Sequence, residues 1–341
     1  VLKKALFGFL LAVGVLAGVE LALRAVYSVD ALLFEWERPS GLIATSMTGE
    51  VVTRPGAEES REDGPYKWRV RLNALGLRED REIPRAAEAG TRRYLALGDS
   101  WMFGYSVDQG KTIPDVLEAL LPAKLGVERV EVVNAGVFGS SAFDMLARYR
   151  QLVETHAFDG VLLGQPHNVQ RFAEQGAERA KWYRQLRDGP ASTMRLYLLV
   201  RWWMAPYRSG MYADPPMGAG REPEYADIRT LATDARARGL PVWFVEMPNN
   251  LPQARHGFTG SPDWKAGLEG AGVLFGGHAL GERACWGFRD EGHASEAGVA
   301  AIAARMADVI AGGATIPVGA DPKCVDGPAA GPGKEGWAWG G

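Results

Sequence analysis

Tyr94-Leu95-Ala96-Leu97-Gly98-Asp99-Ser100 reads as a short apolar strand ending in a polar turn, and the fold follows from its setting. Residues 130–133, 161–163 and 242–247 are short runs of the same kind, rich in Val and Leu, as expected for strands covered on both faces. Stretches with helical periodicity lie between them. Residues 113–121 form one; 142–155 form a second, with Met145, Leu146, Tyr149, Leu152 and Val153 on one face; 225–238 form a third, with Ile228, Leu231 and Ala235 aligned. Strand-helix alternation predicts an α/β protein, a three-layer α/β/α sandwich around a central parallel sheet. A last helix is predicted from Ser295 as N-cap, with Val299, Ile302, Ala303, Met306 and Ile310 toward the core.

Polar groups cluster just past the predicted strand ends, where open α/β sheets build their sites. Ser100 follows the first strand, Asn134-Ala135-Gly136-Val137-Phe138-Gly139 follows the second, and Gln165-Pro166-His167-Asn168 follows the third. Near the end of the chain stands Asp290-Glu291-Gly292-His293. A serine hydroxyl is a poor nucleophile at neutral pH until a histidine takes its proton, and the histidine works best when a carboxylate fixes its tautomer. Gly-Asp-Ser alone also reads as an ordinary turn. The other blocks give it chemical meaning.

With these blocks in this order, the chain over residues 73–310 resembles the SGNH (GDSL-type) hydrolase family, in a membrane-anchored form. The resemblance rests on Leu97-Gly98-Asp99-Ser100-Trp101-Met102-Phe103-Gly104, on the turn from Asn134 to Gly139, and on Asp290-x-x-His293 followed by Ala294-Ser295-Glu296. It implies a flavodoxin-like sheet, Ser100 as nucleophile, His293 as general base and Asp290 as its orienting carboxylate. It also implies an oxyanion hole made by the backbone N–H groups of Ser100 and Gly139 and the side-chain amide of Asn168. Asp99 is then a structural residue of the nucleophile turn, and no cofactor or metal is required. Pro166 and Val169 depart from the family's pattern around Asn168. The implied activity is hydrolysis of short acyl or O-acetyl esters through an acyl-enzyme, on a small-molecule or glycan ester of cell-envelope carbohydrate or lipid. The alternatives are O-acyl transfer with the same triad, or a non-catalytic envelope scaffold.

Composition bounds the rest. The chain has 341 residues, 47% of them hydrophobic, and a formal charge of −3, with no lysine or arginine block to track phosphates, so no nucleic-acid partner is expected. Lys3 and Lys4 precede an apolar run to Leu23, which as a helix from Ala5 would reach about 28 Å, close to the hydrocarbon thickness of a bilayer. Residues 1–27 are read as an uncleaved signal anchor, or else a removed signal peptide, with the rest of the chain on the extracytoplasmic side. Glu20 and Arg24 are placed to pair.

Residues 28–90 read as a stem against the edge of a hydrolase domain at 91–312, and 313–341 as a Gly/Pro-rich tail. Residues 172–221 interrupt the alternation as a helical insertion. Its aromatic residues, Trp182, Trp202 and Trp203 among them, either pack it onto the domain or face a sugar or membrane surface. Cys285 and Cys324 either pair in an oxidising compartment, worth about 4 kcal/mol by loop entropy, or stay free. His156, His167, His256 and His278 lack metal-site spacing.

Overall fold

Branched and aromatic side chains that exclude water on both faces draw five strands into one parallel sheet. The computed structural model describes residues 2–27, 41–46, 50–63, 66–105, 107–166, 194–200, 222–247, 264–278 and 293–312. Asn168, Asp290, both cysteines, His167, His256, the three tryptophans of the insertion and the tail lie outside them. The chain divides into two units, one of Val1–Ser40, Ala173–Asp214 and Ala338–Gly341, the other of Gly41–Phe172 and Pro215–Trp337.

In the larger unit the predicted strands form with small shifts at their ends: β5 Thr91–Leu97, β6 Arg129–Asn134, β7 Gly160–Gly164 and β8 Val242–Glu246. A fifth, β9 (Leu274–His278), was not expected from the sequence; its Gly-Gly centre and half-exposed Leu274 weaken the apolar signal. All neighbours are parallel, in the order β6-β5-β7-β8-β9. This is the flavodoxin-like winding, in which the connections leave the sheet toward opposite faces on either side of the first strand. The crevice so created opens at the carboxyl ends of β5 and β7.

Alternation along β5 feeds both helical layers. Tyr94 and Ala96 pack with Ile113, Leu117 and Leu121 of α3 (Ile113–Leu125) and with Val299, Ile302 and Met306 of α7 (Glu296–Ile310). Leu95 and Leu97 point the other way, onto Met145 and Tyr149 of α4 (Ala142–Val153) and Ile228 and Leu231 of α5 (Glu222–Ala237). The helix starts are sealed locally. Thr112 and Asp115 form a capping box on α3, Asp144 accepts from both the backbone N–H and hydroxyl of Ser141 on α4, and Ser295 accepts from Gly298 N on α7. A short helix α6, Trp264–Gly267, precedes β9.

Ahead of the sheet, β1 (Ile43–Thr45) pairs with β2 (Val51–Thr53), and β3 (Glu58–Asp63) pairs antiparallel with β4 (Tyr66–Arg71). The charged run 58–63, read above as stem, is therefore a strand. Charge clusters hide strand propensity, but Glu58 stands opposite Arg71, so opposite charges face one another across the ladder. Trp68, Val70 and Leu72 turn inward with Leu42 and Phe103, while Arg69 and Arg71 stay outside. Arg69 N and Arg71 N donate to the side chains of Asp108 and Gln109, which covers that edge of the hairpin.

The smaller unit, among the described residues, holds α1 (Leu2–Val26) and a helical turn at 195–200. Between Lys3 and Val26, α1 has a mean hydropathy of 2.3 with none of that window buried, so it is long and apolar enough to serve as a membrane anchor or a signal sequence. Glu20 pairs with Arg24 at 2.8 Å and accepts from the backbone N–H groups of Arg195 and Leu196, both at 2.9 Å.

At the amino end of the sheet Arg93 is fully buried and donates to Glu131 at 2.7 Å and to Pro84 O at 2.6 Å. Removing one member of such a pair leaves a buried charge without its counter-ion. Glu131→Gln is expected to lower stability by about 3 kcal/mol, read as a shift of the urea midpoint at constant slope.

Candidate active site

The turn after β5 is built to present one hydroxyl. Asp99 caps α2 (Ser100–Phe103) by accepting from Trp101 N at 3.0 Å, which is the structural part expected of it. Phe103 N returns to Asp99 O at 2.9 Å, and Gly104, at φ 82°, closes the helix with its N–H on Ser100 O at 3.0 Å. Trp101, Met102 and Phe103 are buried, whereas Ser100 is only half-buried.

Two close approaches hold α2 in place. A Cβ on Gly98 would stand 2.6 Å from Met102 Cβ, and one on Gly136 would stand 2.4 Å from Phe103 N. No other residue lets the helix sit so low on the strand ends. The loop after β6 is tied to the same turn, because Val137 N and Ser140 Oγ both donate to Gly98 O, at 3.0 and 3.1 Å. Asn134 adds its amide, donating to Thr112 Oγ1 at 3.2 Å and accepting from Gly136 N at 3.1 Å. At the tip of that loop Gly139 takes φ 80°, and nothing lies within 4 Å of where its Cβ would be. Glycine is therefore needed there for backbone conformation, not for space.

His293, distant in sequence, arrives on the segment before α7. Its ring centroid is 4.7 Å from that of Tyr105 and 6.1 Å from that of Trp101, the residue after Ser100. Phe138, next to Gly139, packs on the same group, 5.2 Å from Phe103 and 5.8 Å from Tyr105. Of the five site residues expected from sequence, Ser100, Gly139 and His293 are thus attached to one aromatic cluster at the carboxyl ends of β5 and β6. Asn168 and Asp290 lie outside the described residues. Gln165, at the end of β7, is buried, and its side-chain oxygen has no hydrogen-bond partner among the described residues.

A buried carboxyl behind this cluster is not legible from local pattern. Glu79 accepts from Asn134 N at 2.8 Å and has Arg81 Nε 3.8 Å away. Burial nevertheless dominates and pushes its carboxyl up to about 8, against the lowering effects of the Asn134 N–H and Arg81; Asp115 and Glu118 push it further up. The folded state therefore keeps a proton that the unfolded chain has released, so this group makes stability fall as pH rises from about 4.5 to about 8. Glu79→Gln keeps an acceptor for Asn134 N and cannot titrate. In urea melts at pH 5 and pH 8, wild type is expected to lose more stability across the interval than the glutamine variant.

No family model matches the chain, and no curated protein does. Among solved structures it is similar to the psychrotrophic esterase EstA from Pseudoalteromonas sp., at 15% identity and a TM-score of 0.41 over 64% of this chain and 96% of that one. It is also similar to a catalytic mutant of Axe2, an acetylxylan esterase from Geobacillus stearothermophilus, at 16% identity and a TM-score of 0.39 over 66% and 96%. A third is AlinE4, an SGNH-hydrolase family esterase, at 17% identity and a TM-score of 0.30 over 54% and 70%.

Proposed function

We propose that the chain is a membrane-anchored serine esterase of SGNH type, which hydrolyses short acyl or O-acetyl esters of envelope carbohydrate or lipid on the extracytoplasmic side. The observation that carries this reading is the placement of the His293 ring against Trp101, within α2, and Tyr105, just after it, the helix having Ser100 as its first residue. Ser100 Oγ attacks the ester carbonyl as His293 takes its proton, with Asp290 orienting the imidazole. The oxyanion is met by the N–H groups of Ser100 and Gly139 and by the Asn168 amide. Collapse breaks the carbonyl–alkoxide bond, and the departing alcohol takes the proton from His293. A water then attacks the acyl-enzyme, giving its proton to His293, and Ser100 is regenerated with release of the acid.

The test uses the full-length chain in detergent with a short aryl acetate. Wild type is expected to turn over and to be labelled by a fluorophosphonate; Ser100→Ala should lose labelling and on the order of 10^4-fold in rate or more. Asn168→Ala should lose about 3 kcal/mol of transition-state stabilisation, on the order of 100-fold. Wild-type turnover in Ser100→Ala would remove the serine from its role, and a wild-type chain that neither turns over nor labels would fit the non-catalytic scaffold. Supplying an oligosaccharide acceptor and finding acetylated sugar in place of free acetate would make the enzyme a transferase.

The anchor has its own readout. Full-length protein is expected to remain in membranes through a carbonate wash, with the hydrolase domain resisting protease added from the cytoplasmic side. A soluble product cleaved after α1 would identify a signal peptide instead.

A further inference from the structure

Arg78 ends the turn between β4 and β5, and its guanidinium is buried. The turn that delivers it is rigid, since Asn73 Oδ1 accepts from both Leu75 N and Leu77 N at 3.0 Å. Nη1 donates to Phe103 O at 2.9 Å and to Gly104 O, Nη2 to Val107 O at 2.7 Å and Arg69 O at 3.3 Å, and Nε to Gln109 Oε1 at 3.3 Å. Its central carbon also lies 5.1 Å from the centre of the Phe103 ring. None of these five acceptors is a carboxylate. Burial lowers the guanidinium to about 10, so it stays charged at neutral pH.

Three of the acceptors, Phe103 O, Gly104 O and Val107 O, bracket Tyr105. A guanidinium fork can hold several carbonyls at fixed angles, which an ammonium on a flexible stem cannot. Among the described residues, the Tyr105 ring lies nearer to His293 than that of Trp101 does, and Tyr105 N donates to Ser100 O at 2.9 Å. The contrast with Arg93 is informative. Arg93, equally buried, is neutralised by Glu131 at the amino end of the sheet, away from the site. Arg78 is instead spent on carbonyl oxygens around the nucleophile helix, an arrangement that apolar packing could replace if stability alone were required.

We infer that Arg78 is a positioning residue of the proposed esterase: by fixing the carbonyls on both sides of Tyr105, it sets where Tyr105 holds the His293 imidazole relative to Ser100. The inference rests on the Ser100–His293 reading above. Arg78 touches neither substrate nor reacting atoms and acts through Tyr105.

The experiment compares full-length wild type with Arg78→Lys, Tyr105→Leu, the double variant and Glu131→Gln, all assayed below their melting temperatures. Arg78→Lys is expected to lose on the order of 10- to 100-fold in kcat, the cost of a small misplacement, with KM within about twofold of wild type. The acid limb of its pH–rate profile should shift, since the surroundings of His293 change, and fluorophosphonate labelling should slow in step with kcat. Tyr105→Leu should do the same, and the double variant should lose no more than the worse single one, because both act on one link. Glu131→Gln should lose stability and keep kcat and pH profile. Wild-type kcat and pH profile in Arg78→Lys, or losses that multiply in the double variant, would overturn the inference. If Arg78→Lys does not fold, an unchanged kcat and pH profile in Tyr105→Leu overturns it equally. Failure of the esterase reading is separate, being seen as absence of turnover and labelling in wild type.

Discussion

The low seating of α2 on the ends of β5 and β6 is the constraint on which the rest of the site depends. Gly98 and Gly136 allow the helix backbone within distances that any Cβ would forbid. Once the helix is there, its buried residues are committed: Trp101 and Met102 to the layer of α3 and α7, Phe103 to the hairpin core with Trp68 and Val70. Ser100 is left as the residue of α2 that reaches water. The winding of the sheet supplies the other half, because only at the carboxyl ends of β5 and β7 do the connections part to opposite faces and leave room for a ligand.

Aromatic packing then gathers what the strand ends provide. Phe138 contacts both Phe103 and Tyr105, and the His293 ring joins them at Tyr105. Offset and edge contacts of this sort are directional as well as apolar, so they fix ring orientation along with position. The segment carrying His293 is held from the other side by α7, whose first turn is bridged to Lys111 through Glu296 and whose apolar face is sealed into the sheet. The catalytic reading thus rests on two rigid elements brought together by the core, with the loop chemistry confined to short segments between them.

The buried polar groups divide by position along the strands. At the amino ends, Arg93 and Glu131 neutralise each other and serve stability. At the carboxyl ends, Arg78 faces carbonyl oxygens, Glu79 is held neutral by burial, and Asn134 links the loop after β6 to Thr112 and Phe103 O. Burying a charge without a bonded counter-ion costs stability, and at Arg78 that cost falls where α2 must be held.

The sequence by itself determined what depends on local pattern. Apolar runs placed the first four strands of the sheet, periodicity placed α3, α4, α5 and α7, and Ser295 announced its cap. Both signals are carried by neighbours along the chain, so they survive without a partner. Tertiary structure decided what depends on partners. The run 58–63 became a strand because β4 paired with it, and β9 formed because β8 offered an open edge, despite a weak apolar pattern. Arg78 and Glu79 look like solvated charges in the sequence, and only burial against α2 and β6 turns one into a clamp and the other into a neutral acid. The meeting of His293 with the Ser100 helix was expected from the order of the blocks, but its contacts, through Tyr105 and Trp101, follow from packing. Burial and long-range pairing are properties of the folded chain, and no local pattern encodes which distant group will exclude water from a given side chain.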